Sequence, residues 1–358
     1  MPQHVPHHRP RGRAGSARRG RTAGLALTAA ALTLLTGVLG PGALAAEPTA
    51  PAPAHPAGGL ATARISTAYV LPGDRVYPEG IAADPRSGAL FVSSFTTGAI
   101  YTVAPGRRTA EVFLPAGTDG RTTAGGLKAD RAGRLWVVDQ GGVSVYDIRG
   151  RTLLARLTPR EQGAWLNDVA IAPDGTAYVT DSHLGLVYRV TPGDLREAAE
   201  DGGTAALRTG YDLAAVLSPH PANAFALNGI AVDPAGRYVL TVDMTSGELY
   251  RLDVASGGVE KVALRGADLL DGDGLELRHG TLWVAHNRSN TISRWRVSAD
   301  GRGARLERKV TDTALQTPTT LVRRHGRILV VRSQFDKGGP MGPGTPEGPF
   351  TIAAVDGI

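Results

Sequence analysis

Residues 227–252, LNGIAVDPAGRYVLTVDMTSGELYRL, hold one complete copy of a unit that recurs from near residue 77 to the end of the chain. A polar residue (Asn228) and a small one (Gly229) open it. An alternating apolar stretch follows (Ile230, Val232), then a turn at 233–236, a second apolar stretch from Tyr238 to Val242, a polar break, and a third from Glu248 to Leu252. Alternation of apolar and polar residues marks half-buried strands. Asp and Gly between them supply turn conformations that β-branched residues resist. The unit is therefore a β-meander.

Five further copies fall on the same grammar. YPEGIAADPRSGALFVSSFTTGAIYTV starts at Tyr77, AGGLKADRAGRLWVVDQGGVSVYDI at Ala124 and LNDVAIAPDGTAYVTDSHLGLVYRV at Leu166; DGLELRHGTLWVAHNRSNTISRWRV starts at Asp273 and PTTLVRRHGRILVVRSQ at Pro318. The steps are about 45 residues except for one longer step, and a period of 40–50 with about four strands per unit is the signature of a β-propeller. The sequence thus predicts an all-β, six-bladed β-propeller. One meander cannot bury both of its faces, so the blades must stack around an axis. The apolar stretch at 62–71 precedes the first unit and the last unit ends near Phe350–Val355, so the N-terminal strand is expected to pair with the last blade and close the ring.

Residues 1–45 carry six arginines and no acid, then an apolar run from Leu25 to Leu39 and the small-residue exit Ala43-Leu44-Ala45. This pattern is an export signal cleaved near Ala45 or Ala46, and the run is short for a retained span of about 20 residues. Arg18-Arg19 partly matches a twin-arginine pair. The expectation is a secreted chain with a Pro/Ala-rich linker at 46–61, a propeller at 62–358 and no membrane attachment once the signal is removed. The charge balance follows the same division: 39 basic residues stand against 33 acidic, and removing six arginines leaves 33 against 33. With no basic stripe in what remains, nucleic acid is excluded as a partner. Cysteine is absent, which excludes disulfides, a lipoprotein anchor and thiolate metal ligands. A monomer acting on a small-molecule substrate is expected.

Two segments interrupt the repeat. Residues 191–226 contain the helix-like stretch 194–200 and an expected outer strand of blade three near 207–213; lying just before an inner strand, this insertion is a candidate lid. Residues 336–349, DKGGPMGPGTPEGP, are too rich in Gly and Pro for regular structure and read as a loop within blade six.

The phase of the repeat locates the chemistry. The polar residue before each innermost strand places Glu79, Gly125, Asn167, Asn228, Asp273 and Thr319 on one ring around the central channel. Glu79, Asn167, Asn228 and Asp273 offer two carboxylates and two amide oxygens, a hard-oxygen set suited to Ca²⁺. Other divalent ions such as Mg²⁺, Mn²⁺ or Zn²⁺ remain open, zinc being least suited because no Cys or His falls there. Channel mouths are polar in any propeller, so a purely structural ion is the competing reading. The residues after each second strand, Ser94, Asp139, Asp181 with His183, Asp243, His286 with Asn287, and Arg332 with Ser333, are expected at the same mouth. His183 and His286 are candidate proton shuttles or substrate donors there. Asp84, Asp130, Asp174 and Asp233 are turn formers, and Trp136 and Trp283 belong to the core.

The units LNDVAIAPDG, LNGIAVDPAGR and DGLELRHGTLWVA, with PEG opening the first blade, resemble the senescence marker protein 30, gluconolactonase and luciferin-regenerating enzyme group, to which diisopropylfluorophosphatase-like propellers are related. The resemblance spans about residues 62–355. It implies a central divalent cation, usually calcium, held by Glu79, Asn167, Asn228 and Asp273, and it implies that Asp273 also serves as base or nucleophile on a lactone or related ester. The chain departs from the commoner pattern in Ile81, where proline usually follows Glu-Gly, and in its long Gly/Pro loop in blade six. The expected function is an exported, metal-dependent hydrolase of the lactonase type, with Asp273, His183 and His286 as catalytic candidates. The alternative is a non-catalytic propeller that binds a ligand or surface partner around a structural metal, and a third reading is an oxidoreductase or isomerase on the same fold.

Overall fold

The computed structural model describes residues 63–221 and 224–358. Residues 1–61, where the sequence leads one to expect an export signal and a linker, lie outside the described residues. Six antiparallel sheets follow one another along the chain. Their inner strands are Pro78–Ala83, Leu127–Ala129, Leu166–Ile171, Leu227–Val232, Gly272–Arg278 and Pro318–Arg324. The expected closure is present: Arg64–Val70 pairs antiparallel with Thr351–Asp356 as the outermost strand of blade six.

The alternation that defines each strand also builds the core. Along Tyr238–Asp243, Val239 packs toward blade three and Leu240 toward blade five. Among the described residues the buried apolar side chains fall into six clusters, each drawn from two neighbouring blades. No blade has a core of its own, so the ring is the cooperative unit. Trp136 lies between blades two and three and Trp283 between five and six, both buried as expected. Asp130 shows what the turn acids do: it accepts from the backbone N–H of Ala132 and Arg134 and from Trp136 Nε1.

Blades two and five carry a fifth strand that the repeat does not predict. Thr204–Ala206 joins the edge of blade two in parallel with Thr152–Thr158, and Ala263–Arg265 does the same on blade five beside Gly303–Thr311. Both cover part of an edge otherwise open to pairing. The first belongs to the expected insertion, which also contains the helix Pro192–Glu200, with a capping box between Thr191 and Asp194. The insertion then supplies the outer strand of blade three, Arg208–Asp212.

The feature that positions the site is an irregularity repeated at the start of the inner strands. In blades one, three, four, five and six, two inner-strand residues stand opposite one residue of the second strand. Blade two does the same through hydrogen bonds of Gly125 and Gly126 with Val138. Such a bulge re-aims a side chain and leaves backbone groups needing partners. Ser93 Oγ accepts from Gly80 N and donates to the Gly125 carbonyl of the next blade, while Thr180 Oγ1 accepts from Asp168 N and donates to the Asn228 carbonyl. The second bulge residue abuts the neighbouring blade so closely that a Cβ on Gly229 would lie 2.0 Å from the Asp273 carbonyl oxygen. Glycine here is a packing requirement.

Gly229→Ala must therefore push blades four and five apart. The expected cost is about 2 kcal/mol or more, the range of an overpacked core, read as a lower denaturation midpoint. An unchanged midpoint would contradict the close-packed ring.

Candidate metal centre and substrate cavity

The mouth of the channel opens into a cavity of about 750 Å³, and Glu79, Gly125, Asn167, Asn228 and Asp273 line it. Five of the six ring positions expected from the repeat thus meet at one cavity. Thr319 does not line it; its Oγ1 donates to the Glu79 carbonyl oxygen at 2.7 Å and ties blade six to blade one.

Three of the four oxygen-bearing side chains are held from behind. Asn167 Nδ2 donates to Ser182 Oγ at 3.0 Å, Asn228 Nδ2 reaches Met244 Sδ at 3.2 Å, and Asp273 Oδ2 accepts from Asn287 Nδ2 at 2.8 Å. Glu79 Oε2 and Asn228 Oδ1 are buried and have no hydrogen-bond partner. Orphaned buried oxygens are costly unless something satisfies them. Because the amide nitrogen of Asn167 is spent on Ser182, its oxygen is left as the other polar atom of the group. Among the described residues no three His, Cys, Asp or Glu side chains gather as a metal cluster. The donor set is instead the mixed carboxylate–amide set expected from the repeat, and it fits a hard divalent cation.

The electrostatics agree with that fit. Burial, the Asp273 carboxylate and the Asp168 carboxylate hold the Glu79 carboxyl well above the usual range, against the pull of Lys128. Burial likewise pushes Asp273 up to about 8; the hydrogen bond from Asn287 opposes the shift and the Asp168 carboxylate adds to it. These acids are unfavourable as neighbouring anions in a buried site without a cation.

Asp168 escaped the sequence reading. It follows Asn167 at the bulge position that glycine fills in four other blades, and it is buried, with its carboxyl raised by burial. A Cβ on Gly126 would lie 2.3 Å from its Oδ1, so it points at blade two, toward the Lys128 side of the channel. The signal was an acid where the repeat calls for glycine.

The second expected ring is only partly at the mouth. Asp139 lines the cavity but is engaged by Arg156 through both carboxylate oxygens. Asp181 and Asp243 are fully buried and accept from backbone N–H groups of the turns that follow them. Asp243 also meets His220 Nε2 at 2.7 Å, which anchors the insertion to blade four. Ser94 and Ser333 donate to backbone carbonyls, and Arg332 bonds Thr67 of the closing strand. These residues hold turns and blades in place.

Neither histidine lines the cavity. His286 is buried, with Nδ1 on the Leu270 carbonyl at 2.8 Å and Nε2 on Ser293 Oγ at 2.7 Å, so no ring nitrogen is left for a substrate. Burial lowers its pKa. Its neighbour Asn287 is the group that reaches the site. His183 packs between Trp165 and Phe225, with ring centroids 5.1 and 5.0 Å away, and so backs the aromatic wall that those two residues form. That geometry places both histidines in supporting contacts behind the cavity lining.

Both interruptions of the repeat reach the cavity. Pro221, Ala224 and Phe225 come from the insertion, as a lid would; Pro340 and Met341 come from the Gly/Pro loop, with Phe335 just before it.

Residues 77–322 match the family model described as SMP-30/Gluconolactonase/LRE-like region. Among solved structures, a gluconolactonase from Xanthomonas campestris is 19% identical over 83% of this chain and 90% of its own, with a TM-score of 0.57. Regucalcin, a calcium-binding protein from Agrobacterium tumefaciens, is 15% identical over 82% and 96%, with a TM-score of 0.56. An inactive virginiamycin B lyase from Staphylococcus aureus is 11% identical over 82% and 99%, with a TM-score of 0.54. At these identities the likeness is one of fold. No curated protein matches the chain.

Raised carboxylates carry a sign. A folded chain that binds protons more tightly than the unfolded chain loses stability as pH rises through that window, here from about 4 to about 8. With chelator present, the melting temperature attributable to these groups should therefore rise on acidification from pH 8 to 5, and Glu79→Gln should remove much of the dependence. Equal pH profiles for the two chains would contradict the buried, cation-free pair.

Proposed function

The chain belongs to the SMP-30/gluconolactonase/LRE-like family, and from that premise we propose that it is an exported, divalent-metal-dependent hydrolase of the lactonase type, with calcium as the ion. The observation that carries the reading is the pair of buried carboxylates, Glu79 and Asp273, set with two amides on one cavity in which Glu79 Oε2 and Asn228 Oδ1 have no partner. Glu79, Asn167, Asn228 and Asp273 would hold the ion. When bound, it supplies Lewis-acid polarisation to a substrate carbonyl.

The chain's own residues account for the rest. Asn287 fixes Asp273 through Oδ2, which sets the direction of the carboxylate without removing its basicity. Asp273 takes a proton from the water that attacks the acyl carbon; the acyl–oxygen bond of the ring breaks, and the departing alkoxide receives the proton. Direct attack by the Asp273 carboxylate on the acyl carbon is the variant of the same step. Asn167 and Asn228 can hold an ion but, as amides, take no part in proton transfer, and Glu79 is assigned to the ion. The apolar lining of the cavity excludes competing water and strengthens the electrostatics.

Turnover should appear on a panel of γ- and δ-lactones and vanish with chelator. At saturating calcium, Asp273→Asn should lower kcat by about a hundredfold or more, as expected for loss of a general base or nucleophile. Saturation separates lost chemistry from lost binding. A metal-loaded Asn variant that hydrolyses the best lactone at the parent rate would reduce Asp273 to a ligand, and a fully loaded native chain inert on every lactone and ester would favour a binding protein.

A further inference from the structure

The cavity walls differ in character from its floor. One wall is Trp165 with Phe225, whose rings meet edge to face at 5.4 Å; the other is Phe95 with Phe335 at 5.2 Å, continued by Met341. Phe225 is 39% exposed and Leu270 50% exposed, and both line the cavity. Large apolar side chains held open to solvent around a pocket mark a surface that a ligand covers.

Three polar groups of the same cavity are committed to other protein groups, while Thr123, Gln140, Asp271 and Arg288 also line it. Asp139 is held by Arg156, Asn287 by Asp273 and the Arg288 backbone, and Thr245 Oγ1 donates to the Phe225 carbonyl at 2.6 Å. A polyhydroxylated ring needs a partner for most of its hydroxyls, and burying them against aromatic walls leaves them unsatisfied. An alkyl or aryl substituent has no such requirement.

We propose that the substrate is a lactone or ester bearing an apolar alkyl or aryl substituent, with its carbonyl at the ring of Glu79, Asn167, Asn228 and Asp273 and its substituent between the two aromatic walls. A polyhydroxylated sugar lactone is disfavoured by the same walls. The inference rests on the lactonase reading for the identity of the head group, and on the walls alone for the tail. Specificity then comes from the two interruptions of the repeat, which supply Phe225 and Met341.

Binding can be read without turnover. Trp136, Trp283 and Trp295 are 0%, 3% and 0% exposed, so Trp165 is the tryptophan whose emission a ligand in the cavity can change. The probes are three lactams that resist hydrolysis: 2-pyrrolidinone, its 5-hexyl derivative and gluconolactam, each titrated into the calcium-loaded native chain. Each buried methylene contributes about fourfold in affinity, so the hexyl compound should bind at least tenfold more tightly than the unsubstituted ring, and gluconolactam no more tightly than that ring. Phe225→Ala, a truncation at a partly exposed site, should reduce the hexyl preference threefold or more while the variant keeps its fold by circular dichroism. Trp165→Phe should abolish the emission change. Gluconolactam binding more tightly than the hexyl lactam, equal affinities for all three, or no binding by any would overturn the proposal. If the hexyl preference holds and no lactone is turned over, hydrolysis fails and the apolar ligand class stands. If lactones are turned over without an alkyl preference, the ligand class fails and hydrolysis stands.

Discussion

The bulge at the start of each inner strand is the constraint on which the rest depends. Setting two residues against one turns the first toward the channel and presses the second against the next blade. The first position is where Glu79, Asn167, Asn228 and Asp273 stand, and the second is where glycine recurs, because any Cβ would meet the neighbour's backbone. Hydroxyls of Ser93, Thr180 and Thr319 satisfy carbonyls of adjacent blades at this level. The same geometry therefore closes the ring and concentrates oxygen donors at its centre.

That concentration opposes folding locally. Burial raises the pKa of both carboxylates, the Asp273 charge adds to the shift of Glu79, and two buried oxygens lack partners. The opposing force is distributed: six apolar clusters, each shared by two blades, hold the ring shut around an unfavourable centre. A site whose residues violate the ordinary rules of burial while the surroundings obey them is where function is expected. On the metal-dependent reading proposed above, a cation would relieve the violation, and binding and stability would be coupled in the same four side chains.

Most of this was legible from the repeat. Strand alternation and the turn signals placed all six blades, and five of the six positions marked by the phase of the polar residue reach the cavity. Thr319 was not separable from the others in sequence, since a hydroxyl lines a channel or bridges a carbonyl with equal ease. Asp168 carries its signal one residue beyond the ring position, as an acid where four other blades have glycine. His183 and His286 were placed at the right level, but period alone does not say which way a side chain after a bulge or turn points, and both turned into supporting contacts. Three-residue edge strands such as Thr204–Ala206 are too short for any periodicity to show. The aromatic walls come from Trp165, just ahead of an inner strand, and from segments with no period, where only three-dimensional proximity reveals that Trp165 and Phe225 share a face.

The central claim, that four side chains aimed by the bulges hold one divalent ion, is tested most directly by anomalous diffraction. In crystals grown with millimolar calcium and measured at long wavelength, one strong peak should lie within about 2.3–2.6 Å of oxygens from Glu79, Asn167, Asn228 and Asp273, the span of Ca²⁺–oxygen bonds. A featureless map at that point, or an ion held elsewhere while these oxygens remain unliganded, would contradict it.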